Sequence, residues 1–369
     1  MSKAQETVLE IDLKALKHNY EYIKSKLHSN TKILAVVKAF AYGSDANAIA
    51  NYLQGLEVDY FAVAYISEGV ALRDAGIITP ILVLHPQAVN FKALIERCLE
   101  PSLYNAKILN EFITIATEEK QHNYPVHIKF NTGLNRLGFS ENDIDYVVSK
   151  TSETLTLKVK SIFSHLAASE DLDEKEFTKG QIKKFKFITE KFTEAIGYQP
   201  MLHLANTSGV LNYPEAHLDM VRTGIGLYGF GNSKEENKNL KPVATLKSVI
   251  SQIHTIEKGE TVGYNRAHKS KHIEKTATIP IGHADGIGRQ YGNKKGFVTV
   301  NGEKALIIGN VCMDMIMIDI TTIDCQEGDE VILFGSHPSA SQLADAANTI
   351  SYEIITAISQ RVKRSLLND

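Results

Sequence analysis

Between residues 33 and 222 the chain repeats one alternation eight times: a short, nearly continuous apolar run, then a longer segment with a helical period. The apolar runs are 33–38 (ILAVVK), 60–65 (YFAVAY), 81–84 (ILVL), 101–104 (PSLY), 126–130 (VHIKF), 158–164 (KVKSIFS), 201–205 (MLHLA) and 218–222 (LDMVR). Amphipathic stretches lie between them, among them 45–56, 67–75, 106–120, 141–150 and 174–196. Strands that are apolar on both faces need cover on both faces, and alternation with helices supplies it in a parallel sheet. Eight such units within roughly 200 residues match the usual size of a (β/α)₈ barrel. A doubly wound open sheet is the alternative.

The texture changes at "GNSKEENKNLK", residues 231–241, which is polar, lacks an apolar period and reads as a linker. Beyond it come "TLKSVISQIHTI", "TATIPI", "GFVTV", "ALIIG", "MIMIDI" and "EVILFG", separated by turns with Gly and Asn, as in an antiparallel β domain. "ISYEIITAISQRVKR" predicts a closing amphipathic helix. The expected fold is therefore α/β: a (β/α)₈ TIM-like barrel over 12–235, then a smaller, mostly β domain over 236–369. Residues 1–11 are open to joining the second domain.

Composition narrows the function classes. A net charge of −3 over 369 residues gives no electrostatic footprint for nucleic acid or an acidic membrane. Cys98, Cys312 and Cys325 are odd in number and lack CxxC spacing, so neither a disulfide framework nor a zinc site is expected. "MSKAQETVLE" has no signal-peptide core and no apolar run is long enough to span a bilayer, which leads to the expectation of a cytoplasmic protein.

The polar residues then fall into a pattern. Lys38 ends the first apolar run and Lys129 the fifth; His165 follows the sixth, His203 and Asn206 lie at the seventh, and Arg222 ends the eighth. Any one of these reads as an ordinary strand-end side chain reaching water. In a (β/α)₈ barrel, however, all strand C-termini open on one mouth, where catalytic groups collect. After the eighth run comes "TGIGLYGFG", in which Gly224, Gly226 and Gly229 formally make GxGxxG. A dinucleotide fingerprint would follow the first strand and open a helix; this one follows the last and runs into the linker. Its position suits instead the backbone phosphate cradle that such barrels carry after their final strands. A lysine beside a phosphate cradle and an arginine points to a Schiff base with pyridoxal phosphate.

At these residues the chain resembles the alanine racemases of the pyridoxal-phosphate barrel class. "AVVKAFAYG" looks like the cofactor-lysine motif and "IKFNTGLNRLGF" the strand-five motif. "HLANTSG", "VRTGIGLYG", "VGYNRAH", "IGHADGIGR" and "GNVCMDMIMID" follow in the family's order, and the likeness runs through "SYEIITAISQRV". The resemblance implies that Lys38 holds the cofactor and that Tyr42, Thr207, Gly224, Ile225 and Tyr352 surround its phosphate, with Asn206 alongside. Arg222 would hydrogen-bond the pyridine nitrogen, oriented by His165. Arg136 would touch the phenolic oxygen and the substrate, braced by Lys129, which is N-carboxylated in some relatives. Tyr264, with Met313 binding the substrate carboxylate, would come from a neighbouring subunit, implying a homodimer. The implied activity is L-alanine/D-alanine interconversion, supplying D-alanine for peptidoglycan.

These residue types suit the reaction. Racemisation removes a proton from one face of Cα and returns one to the other, so two acid/base groups are needed, Lys38 and Tyr264. A phenol's ordinary pKa of about 10 is high for a base, so a cationic network around Tyr264 is expected. Arginine holds its proton, so Arg222 would leave the pyridine nitrogen unprotonated and disfavour transamination. Phe40, Asn131, His283, Glu170 and Asn310 stand where the family commonly has asparagine, aspartate, tyrosine, aspartate and arginine, which bears on substrate breadth. The competing readings are a racemase of serine, lysine or broad scope, a decarboxylase, which would need an acid in place of Arg222, and a non-enzymatic pyridoxal-phosphate protein, which would lack residues 240–369.

Overall fold

A computed structural model describes residues 4–231 and 233–367; Asn232 of the expected linker, the first three residues and the last two lie outside it. The chain forms two compact units. One comprises 17–41 and 46–240; the other takes the chain as far as Leu16, Tyr42–Asp45, and everything from Lys241 onward. Strand β1 (Val8–Asp12) belongs to the second unit, and the next eight strands to the first.

Those eight are β2 (Lys32–Val36), β3 (Tyr60–Val63), β4 (Ile81–Val83), β5 (Glu100–Leu103), β6 (Tyr124–Lys129), β7 (Leu157–Phe163), β8 (Met201–His203) and β9 (Met220–Thr223). Each pairs in parallel with the next, and β9 returns to β2 with Leu34 opposite Arg222, closing the barrel. The strands coincide with the eight apolar runs, and β3, β4 and β5 are buried at every position. The open-sheet alternative is excluded by closure. Helix Lys175–Ile196 shows why the intervening segments form: Ile182, Phe185, Ile188 and Phe192 recur at helical spacing and are buried, and Gly197 ends the helix in the left-handed conformation, φ 78°.

The second unit is built on a nine-stranded sheet. From edge to edge it runs Gln252–Ile256, Glu274–Ile279, Ile316–Asp319, Glu303–Ile308, Phe297–Val300, Glu330–Phe334, Ala244–Val249, β1 and Lys363–Leu367. Neighbours are antiparallel except at the final pair, where β1 runs parallel to Lys363–Leu367. Lys247 is buried and stabilised by two carboxylates, Glu10 at 2.9 Å and Glu330 at 3.4 Å.

Two local expectations are corrected. The closing amphipathic segment is helical only over Ser351–Thr356 and then becomes a strand. Tertiary pairing overrides helical period here: Lys363–Leu367 docks on β1, and the Arg364 guanidinium donates to five backbone carbonyls, at Gly43, Ser44, Ile358, Ser359 and Val362. The linker contains a helical turn, Lys234–Asn237, capped by Ser233 Oγ accepting from Glu236 N–H at 3.2 Å. Among the described residues no helix is long and apolar enough to cross a membrane.

Candidate active site

Lys38 lies two residues beyond the end of β2, where the backbone leaves the barrel in an uncommon way. Ala39, Phe40, Ala41 and Tyr42 all have φ between 52° and 55°, and Gly43 follows at 80°. This is a single left-handed turn built mostly from residues with side chains, each of which costs about 1–2 kcal/mol there. The turn is fastened at several points. Glu68 Oε1 accepts from Ala39 N–H at 2.7 Å, while its Oε2 accepts from Ala64 N–H at 2.7 Å. Ala41 N–H donates to Val37 O at 3.0 Å. Gly43 is obligatory, because a Cβ there would lie 2.0 Å from Ile355 O. The Lys38 side chain is half-buried; burial first, then the Arg136 charge, lower its pKa, with Glu68 opposing.

Arg222, on β9, is 4% exposed and almost fully bonded. Its Nη2 donates to Ser164 O (2.6 Å), Leu204 O (3.1 Å) and His165 Nδ1 (3.2 Å), and its Nη1 donates to His203 Nδ1 (2.9 Å). Burial and the Arg222 charge hold both histidines well below the ordinary imidazole range, so both are neutral acceptors. Among the described residues, Nε has no protein partner. Arg222 itself is lowered to about 9 by burial and by Arg136.

Lys129, ending β6, is lowered to about 8, by burial first and then by Arg136, Arg222 and Lys38. Lys129 is thus surrounded by the charges of Arg136, Arg222 and Lys38, with no carboxylate among the causes of its shift. Two cations do not brace one another, so the expected support of Arg136 by Lys129 is not available to an unmodified lysine.

The turn after β9 has the features of an anion cradle. Thr207 Oγ1 accepts from Gly224 N–H and Gly226 N–H, both at 3.3 Å. Between them, Ile225 N–H has no acceptor among the described residues, although Ile225 is 1% exposed. At Gly226 a Cβ would meet Thr207 Cγ2 at 2.6 Å. Asn206 stands behind, its Oδ1 accepting from Gly209 N–H (2.9 Å) and Ser169 Oγ (2.8 Å).

The remaining expected residues belong to the β-rich unit. Tyr42 and Tyr352 face one another with ring centroids 6.0 Å apart, and burial raises the Tyr42 phenol. Tyr264 and Met313 line one cavity of about 530 Å³ with Gly263, Thr278, Asp314 and Met315 among its walls. Tyr264 is 73% exposed and Met313 59%. The Met313 carbonyl accepts from Ala284 N–H at 3.0 Å, whereas its own N–H has no partner among the described residues. No lysine, arginine or histidine lines this cavity, so the cationic network expected around Tyr264 is not supplied by those walls. Arg361 approaches Asp314 and Asp285, each at 2.6 Å, and fixes the segment that carries Met313.

The barrel residues fit pyridoxal phosphate. A lysine with a destabilised ammonium suits its aldehyde, an orphan buried N–H in a glycine turn suits its phosphate, and an arginine with a spare donor suits its ring nitrogen. Sequence reasoning missed Glu68 and Gly226. Glu68 had no signal beyond its helical position; Gly226 lay within the quoted glycine run. No group of three or more His, Cys, Asp or Glu side chains able to hold a metal occurs among the described residues.

Comparison with known proteins agrees along the whole chain. The family model "Alanine racemase, N-terminal domain" matches residues 11–231, and "Alanine racemase, C-terminal domain" matches 243–366. The alanine racemase of Thermodesulfovibrio yellowstonii is 38% identical, covering 97% of each chain, and that of Halothermothrix orenii is 37% identical, covering 98% and 97%. The structure of Clostridium difficile alanine racemase superposes with a TM-score of 0.93 at 33% identity, over 99% of this chain and 97% of the other. That of Bartonella henselae, described with covalently bound pyridoxal phosphate, has a TM-score of 0.90 at 29% identity, over 99% and 100%. With its barrel, its β-rich unit and its motifs all matched over nearly full length, this chain belongs to the alanine racemase family.

Proposed function

We propose that this protein interconverts L-alanine and D-alanine using pyridoxal phosphate. The observation that carries the reading is the pairing of a destabilised Lys38 ammonium with an Arg222 held as a donor by two neutral histidines. When bound, the cofactor supplies an aldehyde for amines and a ring that withdraws electrons from Cα. Lys38 anchors it, and Lys38 Nζ moves the Cα proton on one face. Tyr264 Oη, from a second copy of the chain, moves it on the other, and Met313 N–H of that copy receives the substrate carboxylate. Ile225 N–H, Gly224, Thr207, Tyr42 and Tyr352 serve the phosphate, with Asn206 supporting Thr207. Arg222, oriented by His165, donates to the ring nitrogen, and because arginine retains its proton the nitrogen stays unprotonated.

Lys129 reads as a carboxylated lysine. Its neutral amine adds to carbon dioxide, a new N–C bond forms and one proton is released. The resulting carbamate is the anion that the surrounding cations lack, and it would orient Arg136 towards cofactor and substrate. The working form is a cytoplasmic homodimer whose product feeds peptidoglycan synthesis.

Chiral analysis of alanine tests the reading. The purified protein with pyridoxal phosphate and pure L-alanine should approach equal amounts of the two enantiomers, and Lys38→Ala should not. Wild-type protein that binds the cofactor yet forms no D-alanine refutes the alanine assignment; serine and lysine are then the next substrates.

A further inference from the structure

The barrel interior carries a file of polar side chains of which the site above uses only the last, His203. Glu100 on β5, His127 on β6, Ser161 on β7 and His203 on β8 are each 6% exposed or less. They connect in order. Glu100 Oε2 lies 2.6 Å from His127 Nε2, and His127 Nδ1 lies 2.6 Å from Ser161 Oγ. Ser161 Oγ lies 2.8 Å from His203 Nε2, and His203 Nδ1 lies 2.9 Å from Arg222 Nη1.

With both rings neutral, the Arg222 end sets the direction of every bond in the file. Arginine only donates, so His203 Nδ1 accepts and the neutral ring carries its proton on Nε2. That N–H donates to Ser161 Oγ. The Ser161 hydroxyl is then left to donate to His127 Nδ1, and His127 Nε2–H donates to the Glu100 carboxylate. The reverse direction would set two donors against each other at Arg222. Glutamate, histidine and serine are also the residue types of a hydrolase triad, but Ser161 is 0% exposed and already held between two imidazoles, so no substrate reaches it.

We propose that Glu100, His127 and Ser161 are positioning residues for Arg222: an oriented relay that joins its positive charge to a buried carboxylate across five barrel strands. The relay thereby sets the strength of the hydrogen bond that Arg222 offers to the cofactor's ring nitrogen. This rests on the functional reading above. Hydrogen bonds in a chain polarise one another in a poorly screened interior, so Glu100 offsets part of the Arg222 charge. Without its anion, Arg222 faces the ring nitrogen as a less compensated and stronger donor. On the far side, Glu100 Oε1 is 3.8 Å from Lys160 Nζ, whose side chain is 43% exposed.

Two measurements on the full-length protein test this. Nitrogen–proton NMR of the histidine rings in wild type should find His127 and His203 neutral with the proton on Nε2. A proton on Nδ1 alone, or on both nitrogens, in either ring overturns the relay. The holoenzyme is then loaded with pyridoxal phosphate labelled with ¹⁵N in its ring. Glu100→Gln and Ser161→Ala should both shift the ring-nitrogen resonance towards stronger hydrogen bonding, while Lys160→Gln leaves it unchanged. Folded variants at Glu100 and Ser161 that retain the wild-type resonance overturn the proposal. Should Glu100→Gln fail to fold, Ser161→Ala, which removes one oxygen, carries the test. Wild type that takes up no pyridoxal phosphate refutes the functional reading and the cofactor half of this proposal, and the tautomers still decide the relay.

Discussion

Replacing Lys129 by methionine should stabilise the cofactor-free protein at neutral pH, although the lysine is native and buried. The lysine sits 7% exposed amid Arg136, Arg222 and Lys38, and burial with those charges lowers its pKa from 10.5 to about 8. That gap corresponds to about 3 kcal/mol at pH 7. Methionine forgoes the ammonium's approach to the Phe163 ring, 5.7 Å away, a loss of about 0.5–2 kcal/mol. A net gain of about 1–2 kcal/mol remains. The pH dependence is the sharper signature. Below about pH 8 folded and unfolded lysine both hold the proton and the cost is present in full; between about pH 8 and pH 10.4 the unfolded chain binds more, so wild-type stability rises with pH. Urea denaturation of both proteins in carbon-dioxide-free buffer should therefore show the variant ahead at pH 7 and its lead shrinking by about pH 9.5. A difference that does not change with pH, or a variant less stable at pH 7, refutes the reasoning. Adding bicarbonate should stabilise wild type and leave the methionine variant unchanged, because only the lysine can become an anion.

Phe40→Asn should raise stability by about 1 kcal/mol in urea denaturation, since asparagine tolerates the left-handed conformation better than phenylalanine and Phe40, 58% exposed, has little packing to lose. A lowered midpoint would contradict this. Gly226→Ala should weaken pyridoxal phosphate binding at least about tenfold by fluorescence titration, as a cost of about 1.4 kcal/mol requires, because its Cβ displaces Thr207 from the cradle; unchanged affinity would remove the cradle assignment. Arg364→Ala should cost about 2–4 kcal/mol, because five carbonyls lose a charged donor, and proteolysis should then appear near Gly43. Resistance there equal to wild type would argue against Arg364 holding that segment.

The barrel was legible because its code is local: apolar runs such as "ILAVV" and "YFAVA" demand cover on both faces, and the helices between them supply it. Lys38, Lys129 and Arg222 stood out for the same reason, as charges where an apolar run stops. The helix-to-strand change after Thr356 was not legible, since what decides it is β1, more than 340 residues earlier. The buried relay was hidden for a related reason. His127 reads as a polar position of an ordinary strand and Ser161 as a small residue on a buried face, and only the register of β6 against β7 sets them opposite one another. The left-handed turn left no trace either, because Ala39, Phe40 and Ala41 carry none of the glycine or asparagine by which such a conformation is ordinarily read.

That turn has a bearing on when the chain becomes reactive. A left-handed turn of alanine, phenylalanine and tyrosine has no local tendency to form, and its fasteners are distant: Glu68 at one end, and Arg364, through Gly43 and Ser44, at the other. A nascent or partly unfolded chain therefore carries Lys38 as an ordinary protonated amine, no more attractive to aldehydes than any surface lysine. Chemical competence arrives together with the docking of strand Lys363–Leu367 on β1. Aldehyde capture at Lys38 is thus a certificate of completed folding, and cofactor uptake during refolding should lag the appearance of barrel structure and coincide with docking of the C-terminal strand.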